Sequence, residues 1–156
     1  MSIGVGDRAP DFRIPGTDGT DDGTRDYALA DYAGQPVVLV FYPADNTPVC
    51  TRQLNSYTTD IDQFSEVGAQ VLAISPQSVS SHTEFADQQG GFAFPLLADV
   101  DKVVGEAYGV LGPIGFYRRS VFVVDADGVV RYAHRAMAGL TFRSTGEIVE
   151  AVRTFV

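Results

Sequence analysis

One side chain among these 156 residues is a ready nucleophile: Cys50, the sole cysteine, in the string Phe41-Tyr42-Pro43-Ala44-Asp45-Asn46-Thr47-Pro48-Val49-Cys50. A thiol attacks as thiolate, and a thiolate is favoured where the unpaired N–H groups and positive dipole end of a helix face the sulfur. The neighbours of Cys50 predict such an end. Thr47 reads as an N-cap and Pro48 as the first helical residue, where a missing N–H costs no hydrogen bond. Cys50, Leu54, Tyr57, Ile61 and Phe64 then recur at steps of four, three, four and three, the stripe of an amphipathic helix. A lone cysteine is more often a small buried hydrophobe than a reagent. The cap, the prolines and the strand before them tip this one toward chemistry. Arg52, in the same turn, either adds positive potential or belongs to the surface.

Other groups that could do chemistry carry weaker signals. His82 and His134 are separated by two elements, and no cluster of His, Cys or acid has metal-ligand spacing, so both are assigned to structure and no metal or cofactor is expected. The aspartates of the segment Gly16-Thr17-Asp18-Gly19-Thr20-Asp21-Asp22-Gly23 do not match a calcium loop with a distal glutamate. Gly109, Gly112 and Gly115 form GxxGxxG without the strand, turn, helix and downstream acid of a phosphate site. That stretch reads as a loop carrying Arg118-Arg119 into the next strand. Asp45 and Asn46 read as loop-shaping residues.

The elements that must position Cys50 alternate between strand and helix. Val37-Val38-Leu39-Val40-Phe41 is the continuous apolar run of a strand buried on both faces. A second core strand is predicted over 69–75, and a helix over 80–89 ended by Gly90-Gly91. A short helix over 103–108 stops at Gly109. Residues 121–125 and 129–134 flank the Ala126-Asp127-Gly128 turn as a hairpin, and 145–155 is a terminal helix. The segment 16–23 is a turn joining a short N-terminal hairpin. With no repeat and no linker, one α/β domain over 1–156 is expected, a central mixed sheet flanked by helices.

Pro43, Thr47 and Cys50 reproduce the P-x-x-x-[TS]-x-x-C pattern of peroxiredoxins, and FYPADNTPVCT resembles the bacterioferritin-comigratory-protein, or peroxiredoxin Q, group. The similarity runs from Gly6-Asp7-Arg8-Ala9-Pro10-Asp11-Phe12 to the strand at 129–134. It implies a thioredoxin-like fold and thiol peroxidase activity. It also implies roles: Cys50 as peroxidatic nucleophile, Thr47 as hydroxyl contact to peroxide and thiolate, Pro43 as shield of the sulfur. The family's distant arginine falls on Arg119, in Arg119-Ser120-Val121-Phe122-Val123-Val124-Asp125, with Ser120 one place earlier than usual. The chain departs from the group twice. Asn55 stands where many members carry a resolving cysteine, which implies one-cysteine turnover through a Cys50 sulfenic acid reduced by an outside thiol. That thiol would be thioredoxin-like, glutaredoxin-like or small. Gln53 replaces the usual glutamate, so an ion pair to the arginine becomes a neutral hydrogen bond.

Composition narrows function further. Net charge is −9, with 20 acidic residues against 11 basic ones and Lys102 the single lysine, a surface suited to high salt and a hint of a halophilic source. No basic patch offers itself to nucleic acid or anionic membrane. No run approaches the ~18 apolar residues of a membrane span, and neither signal peptide nor disulfide framework is evident, so the cytoplasm is expected. Absence of tryptophan disfavours a glutathione peroxidase, and the lack of C-x-x-C disfavours a disulfide reductase. The expected substrates are hydrogen peroxide or organic hydroperoxides. A redox sensor or holdase on the same fold is the alternative, and the chain is expected to act as a monomer or homodimer.

Overall fold

In a computed structural model that describes residues 3–19, 23–136 and 141–156, the apolar run Val37–Phe41 lies at the centre of a seven-stranded sheet. The strands are β1 (Arg13–Thr17), β2 (Arg25–Ala28), β3 (Val37–Phe41), β4 (Gln70–Ser75), β5 (Leu96–Ala98), β6 (Ser120–Val124) and β7 (Val130–Arg135). Their order is β2-β1-β5-β4-β3-β6-β7. β3, β4 and β5 run parallel to one another, while β1, β2, β6 and β7 make antiparallel pairings. The expected mixed sheet and N-terminal hairpin are present. Thr20, Asp21 and Asp22 of the expected hairpin turn lie outside the described residues.

Successive side chains of a strand point to opposite faces, and both faces of β3 are covered. Val38 and Val40 join Leu54, Tyr57, Phe64, Phe85 and the Ile148–Val152 stripe in one apolar cluster. Val37, Leu39 and Phe41 join Leu29, Val104, Tyr108 and Phe122 in the other. The helices that supply these residues are α1 (Pro48–Thr59), α2 (Ile61–Glu66), α3 (Val79–Gln88), α4 (Val103–Ala107) and α5 (Thr145–Arg153). A 3-10 turn over Leu29–Tyr32 adds to the second face.

One local expectation needs correction. The stripe from Cys50 to Phe64 is not one helix: α1 ends at Thr59, and α2 starts after Asp60 with Ile61 only half-buried. Ser56, Thr58, Thr59 and Asp60 are weak helix formers that compete with the backbone for hydrogen bonds, which locates the break. β5 is a three-residue strand that periodicity alone could not announce. It is drawn into the sheet by ladder bonds to β4 and β1.

Candidate active site

Thr47 occupies the N-cap position of α1 with extended backbone (φ −85°, ψ 150°), and Pro48 follows at the first helical place. Its hydroxyl does not cap the helix, however. It donates to the Ala44 carbonyl at 3.2 Å, stapling the 43–47 loop instead. The first helical hydrogen bond runs from the Thr51 N–H to the Thr47 carbonyl, so the Val49 and Cys50 N–H groups precede the helical ladder. Cys50 thus stands in the first turn, its backbone N–H ahead of the helical ladder and its sulfur fully buried.

Arg119 reaches that sulfur because of strand register. β3 and β6 pair antiparallel with Phe41 opposite Ser120. Arg119, one residue before β6, is therefore delivered past the end of β3, where the chain turns into α1. Its Nη2 lies 3.2 Å from Cys50 Sγ, across a sequence separation of 69 residues. Its Nη1 donates to Gln53 Oε1 at 2.6 Å. Only 4% of Arg119 is exposed. The adjacent Arg118 turns elsewhere, its Nε donating to the Ala136 carbonyl at 3.3 Å.

The loop before Arg119 folds as a tight return rather than a phosphate cradle. Leu111 bridges to Tyr117, and the Gly112 N–H donates to the Phe116 carbonyl. Tyr117 anchors the return: it is buried, and its hydroxyl donates to Asp99, whose carboxylate also receives the Val104 and Gly105 N–H groups. Burial and that carboxylate push the Tyr117 phenol upward, keeping it a donor.

On the other side of Cys50, Asp45 holds the loop between β3 and α1. It accepts from the Tyr42 hydroxyl at 2.7 Å and from Ser81 Oγ at 2.6 Å, and lies 2.7 Å from His82 Nδ1. His82 Nε2 meets the Leu97 carbonyl at 2.9 Å, so the buried imidazole links the loop to β5. Burial, reinforced by Asp45, raises the Tyr42 phenol well above its ordinary value, and it remains a neutral donor. The backbone of Asn46 takes a positive φ of 62°, a conformation asparagine tolerates in turns. Pro43 lies within this braced loop.

The structure thus gathers Cys50, Thr47, Pro43 and Arg119 at one end of β3. It leaves Arg52 exposed and His134 half-buried on β7, where burial lowers the imidazole pKa. Asn55, half-buried, donates to Gln89 Oε1 at 3.0 Å and joins α1 to the end of α3. Among the described residues no group of three His, Cys, Asp or Glu is placed to hold a metal ion. Two features escaped sequence reasoning: the Asp45–His82 brace and the hydroxyl of Tyr57. Both residues carried a signal, since a histidine or tyrosine on a buried helical stripe must find polar partners.

Comparison with known proteins bears directly on this arrangement. The AhpC/TSA family model matches residues 5–133. Over 155 residues, covering 95% of this chain and 92% of the other, the sequence is 36% identical to a Mycobacterium tuberculosis protein named as a peroxiredoxin. It is 38% identical over 137 residues to a Coxiella burnetii protein named as peroxiredoxin bcp, spanning 83% of this chain and 87% of that one. The reduced 2-Cys peroxiredoxin of Plasmodium vivax superimposes with a TM-score of 0.87 at 27% identity, covering 96% of this chain and 80% of its own.

Proposed function

Because this chain belongs to the AhpC/TSA family of peroxiredoxins, with their thioredoxin-like fold, and is a thiol-dependent peroxidase, we propose that Cys50 is its peroxidatic nucleophile and that turnover uses this one cysteine. The observation that carries the reading is the 3.2 Å approach of the Arg119 guanidinium to a sulfur held in the first turn of a helix. Residues 1–156 then act as one catalytic domain.

Cys50 thiolate attacks the terminal oxygen of a hydroperoxide along the O–O axis. An S–O bond forms as the O–O bond breaks; sulfur is oxidised to sulfenic acid, and the leaving alkoxide or hydroxide takes a proton from water. Negative charge passes from sulfur to the leaving oxygen. The Arg119 guanidinium, already 3.2 Å from the sulfur, and the Cys50 N–H of the first helical turn stabilise the shift, and the Thr47 hydroxyl joins them once turned from the Ala44 carbonyl. Pro43 and the Asp45 brace keep the loop over the sulfur in place.

These 156 residues hold no second cysteine, so no internal disulfide can form within them. An outside thiol must attack the sulfenic sulfur, releasing water and leaving a mixed disulfide that a second thiol resolves. Cys50 is 0% exposed, so the structure over the sulfur must open for the peroxide and again for the reducing thiol. We assign the reductant role to a thioredoxin-like, glutaredoxin-like or small cytoplasmic thiol. Cys50→Ser replaces the sulfur with a nearly isosteric alcohol that is not ionised near neutral pH. It should abolish peroxide consumption while far-UV circular dichroism stays unchanged, and more than a few per cent of wild-type turnover would sink the assignment. Sustained consumption by wild type with excess thiol distinguishes an enzyme from a sensor or holdase, which would use the same cysteine without rapid turnover.

A further inference from the structure

We propose that Tyr57 is a positioning residue of the peroxidase, whose hydroxyl, acting through Gln53, fixes the Arg119 guanidinium and ties it to the Arg143 carbonyl ahead of α5. The inference rests on the assignment of Cys50 and Arg119 above. Cys50, Gln53 and Tyr57 lie three and four residues apart on α1, one above another on the buried face. From Arg119 Nη1 the chain of contacts runs to Gln53 Oε1 at 2.6 Å. It continues from Gln53 Nε2 to the Tyr57 oxygen at 3.3 Å, and from the Tyr57 hydroxyl to the Arg143 carbonyl at 2.5 Å.

The direction of every bond in this relay is forced. A guanidinium has donors only, so the amide must present its oxygen to Arg119. Its nitrogen then faces Tyr57, whose oxygen must accept. The single phenolic proton is left for the Arg143 carbonyl, a pure acceptor. Burial pushes the Tyr57 phenol up to about 12, so that proton is present across the physiological range. Gln53 and Tyr57 are both 0% exposed, so neither bond can be exchanged for water at no cost.

The relay needs glutamine. A carboxylate at position 53 would accept from both neighbours, draw the Tyr57 proton toward itself and leave the Arg143 carbonyl without it. The far end of the relay is itself held in place. Arg143 Nη1 lies 3.3 Å from Glu147 Oε1, the Tyr132 hydroxyl donates to Glu147 Oε2 at 2.5 Å, and Ser144 caps α5 by accepting from the Glu147 N–H. The guanidinium at the sulfur is thereby referenced to a second, independently fixed part of the fold. The Tyr57 ring packs edge-on against Phe64 and Phe142, contacts that Tyr57→Phe preserves.

A double-mutant cycle tests this. Rate constants for hydrogen peroxide are measured for wild type, Tyr57→Phe, Arg119→Met and the double variant. Tyr57→Phe should slow wild type about tenfold, and should slow Arg119→Met by less than twofold, because the group it orients is gone. A residue that merely supports α1 would slow both backgrounds alike. A Tyr57→Phe effect under twofold in wild type, or of twofold or more in Arg119→Met, overturns the proposal. If Tyr57→Phe does not fold, Gln53→Glu reads the other end of the relay through trypsin cleavage after Arg143 in the native protein. Cleavage at least threefold faster than wild type supports the relay, and anything slower overturns it. Failure of wild type to consume peroxide would instead strike the underlying functional reading.

Discussion

Arg119→Met removes the one cation within hydrogen-bond reach of Cys50 Sγ among the described contacts, at nearly constant side-chain volume. The structure sets the size of the expected loss. Arg119 is 4% exposed, and its contacts include Nη2 to sulfur at 3.2 Å and Nη1 to Gln53 at 2.6 Å. Deleting one preorganised donor from a site where charge develops costs about 10²–10³ in rate, or ~2.7–4 kcal/mol. The second-order rate constant with peroxide should fall by about that factor. Arg119→Lys keeps the charge but not the planar fork, so it can serve sulfur or Gln53 but not both. An intermediate loss of about tenfold, ~1.4 kcal/mol, is expected for it. Arg119→Met also leaves the buried Gln53 oxygen without this donor, a cost of about 1–3 kcal/mol that should appear as a lower Tm. The chain has no tryptophan to report the reaction by fluorescence, so competition against a peroxidase of known rate is the suitable assay. Arg118→Met is the control, since its Nε faces the Ala136 carbonyl, and should stay within twofold of wild type. A rate for Arg119→Met within threefold of wild type would refute the argument, and a slow Arg118→Met would move the role to its neighbour.

Asn55→Cys places a second thiol five residues after Cys50. The two positions are about 7.5 Å apart along α1 and on different faces, beyond strain-free disulfide reach; intact mass after peroxide should therefore show only slow, partial loss of two hydrogen atoms, with less sulfinic acid than wild type. Rapid, complete bridging would mean that α1 opens far more readily than its contacts indicate. Burial raises the Asp125 carboxyl, but bonds from the Val129 and Asp127 N–H groups and from Arg131 outweigh it and leave the pKa below its ordinary 3.8. The depressed folded value means this contribution is complete above the unfolded pKa and disappears as pH falls through the lower, folded one. Urea midpoints should therefore drop less between pH 6 and pH 3 for Asp125→Asn than for wild type, and equal drops would contradict the assignment. The same sign holds for Glu147, lowered chiefly by the Tyr132 hydroxyl. Gly105→Ala would set a Cβ 2.6 Å from Tyr117 Cε1, so the ring that anchors the approach to Arg119 must move; a loss of about 1–3 kcal/mol by thermal melting is expected, and a wild-type Tm would refute it.

What the sequence determined by itself was whatever neighbours in the chain decide. The uninterrupted apolar run Val37–Phe41 reads as a doubly covered strand and Thr47-Pro48 as a helix start, and together they put Cys50 in a first helical turn. The hairpin across Ala126-Asp127-Gly128 was legible for the same reason, a turn signal between two apolar segments. Arg119 was legible only through resemblance to a family, because nothing local separates it from Arg118. Tertiary structure separates the two through the register that pairs Ser120 with Phe41 and sends one guanidinium to sulfur, the other to Ala136. It likewise decided that the Thr47 hydroxyl turns back to Ala44, that Asp45 is braced by His82, and that Tyr57, counted as an apolar stripe residue, has a working hydroxyl. Periodicity records which side of a helix or strand is buried. The partner of a buried donor is chosen by where distant segments bring their acceptors, and only the folded chain holds that information.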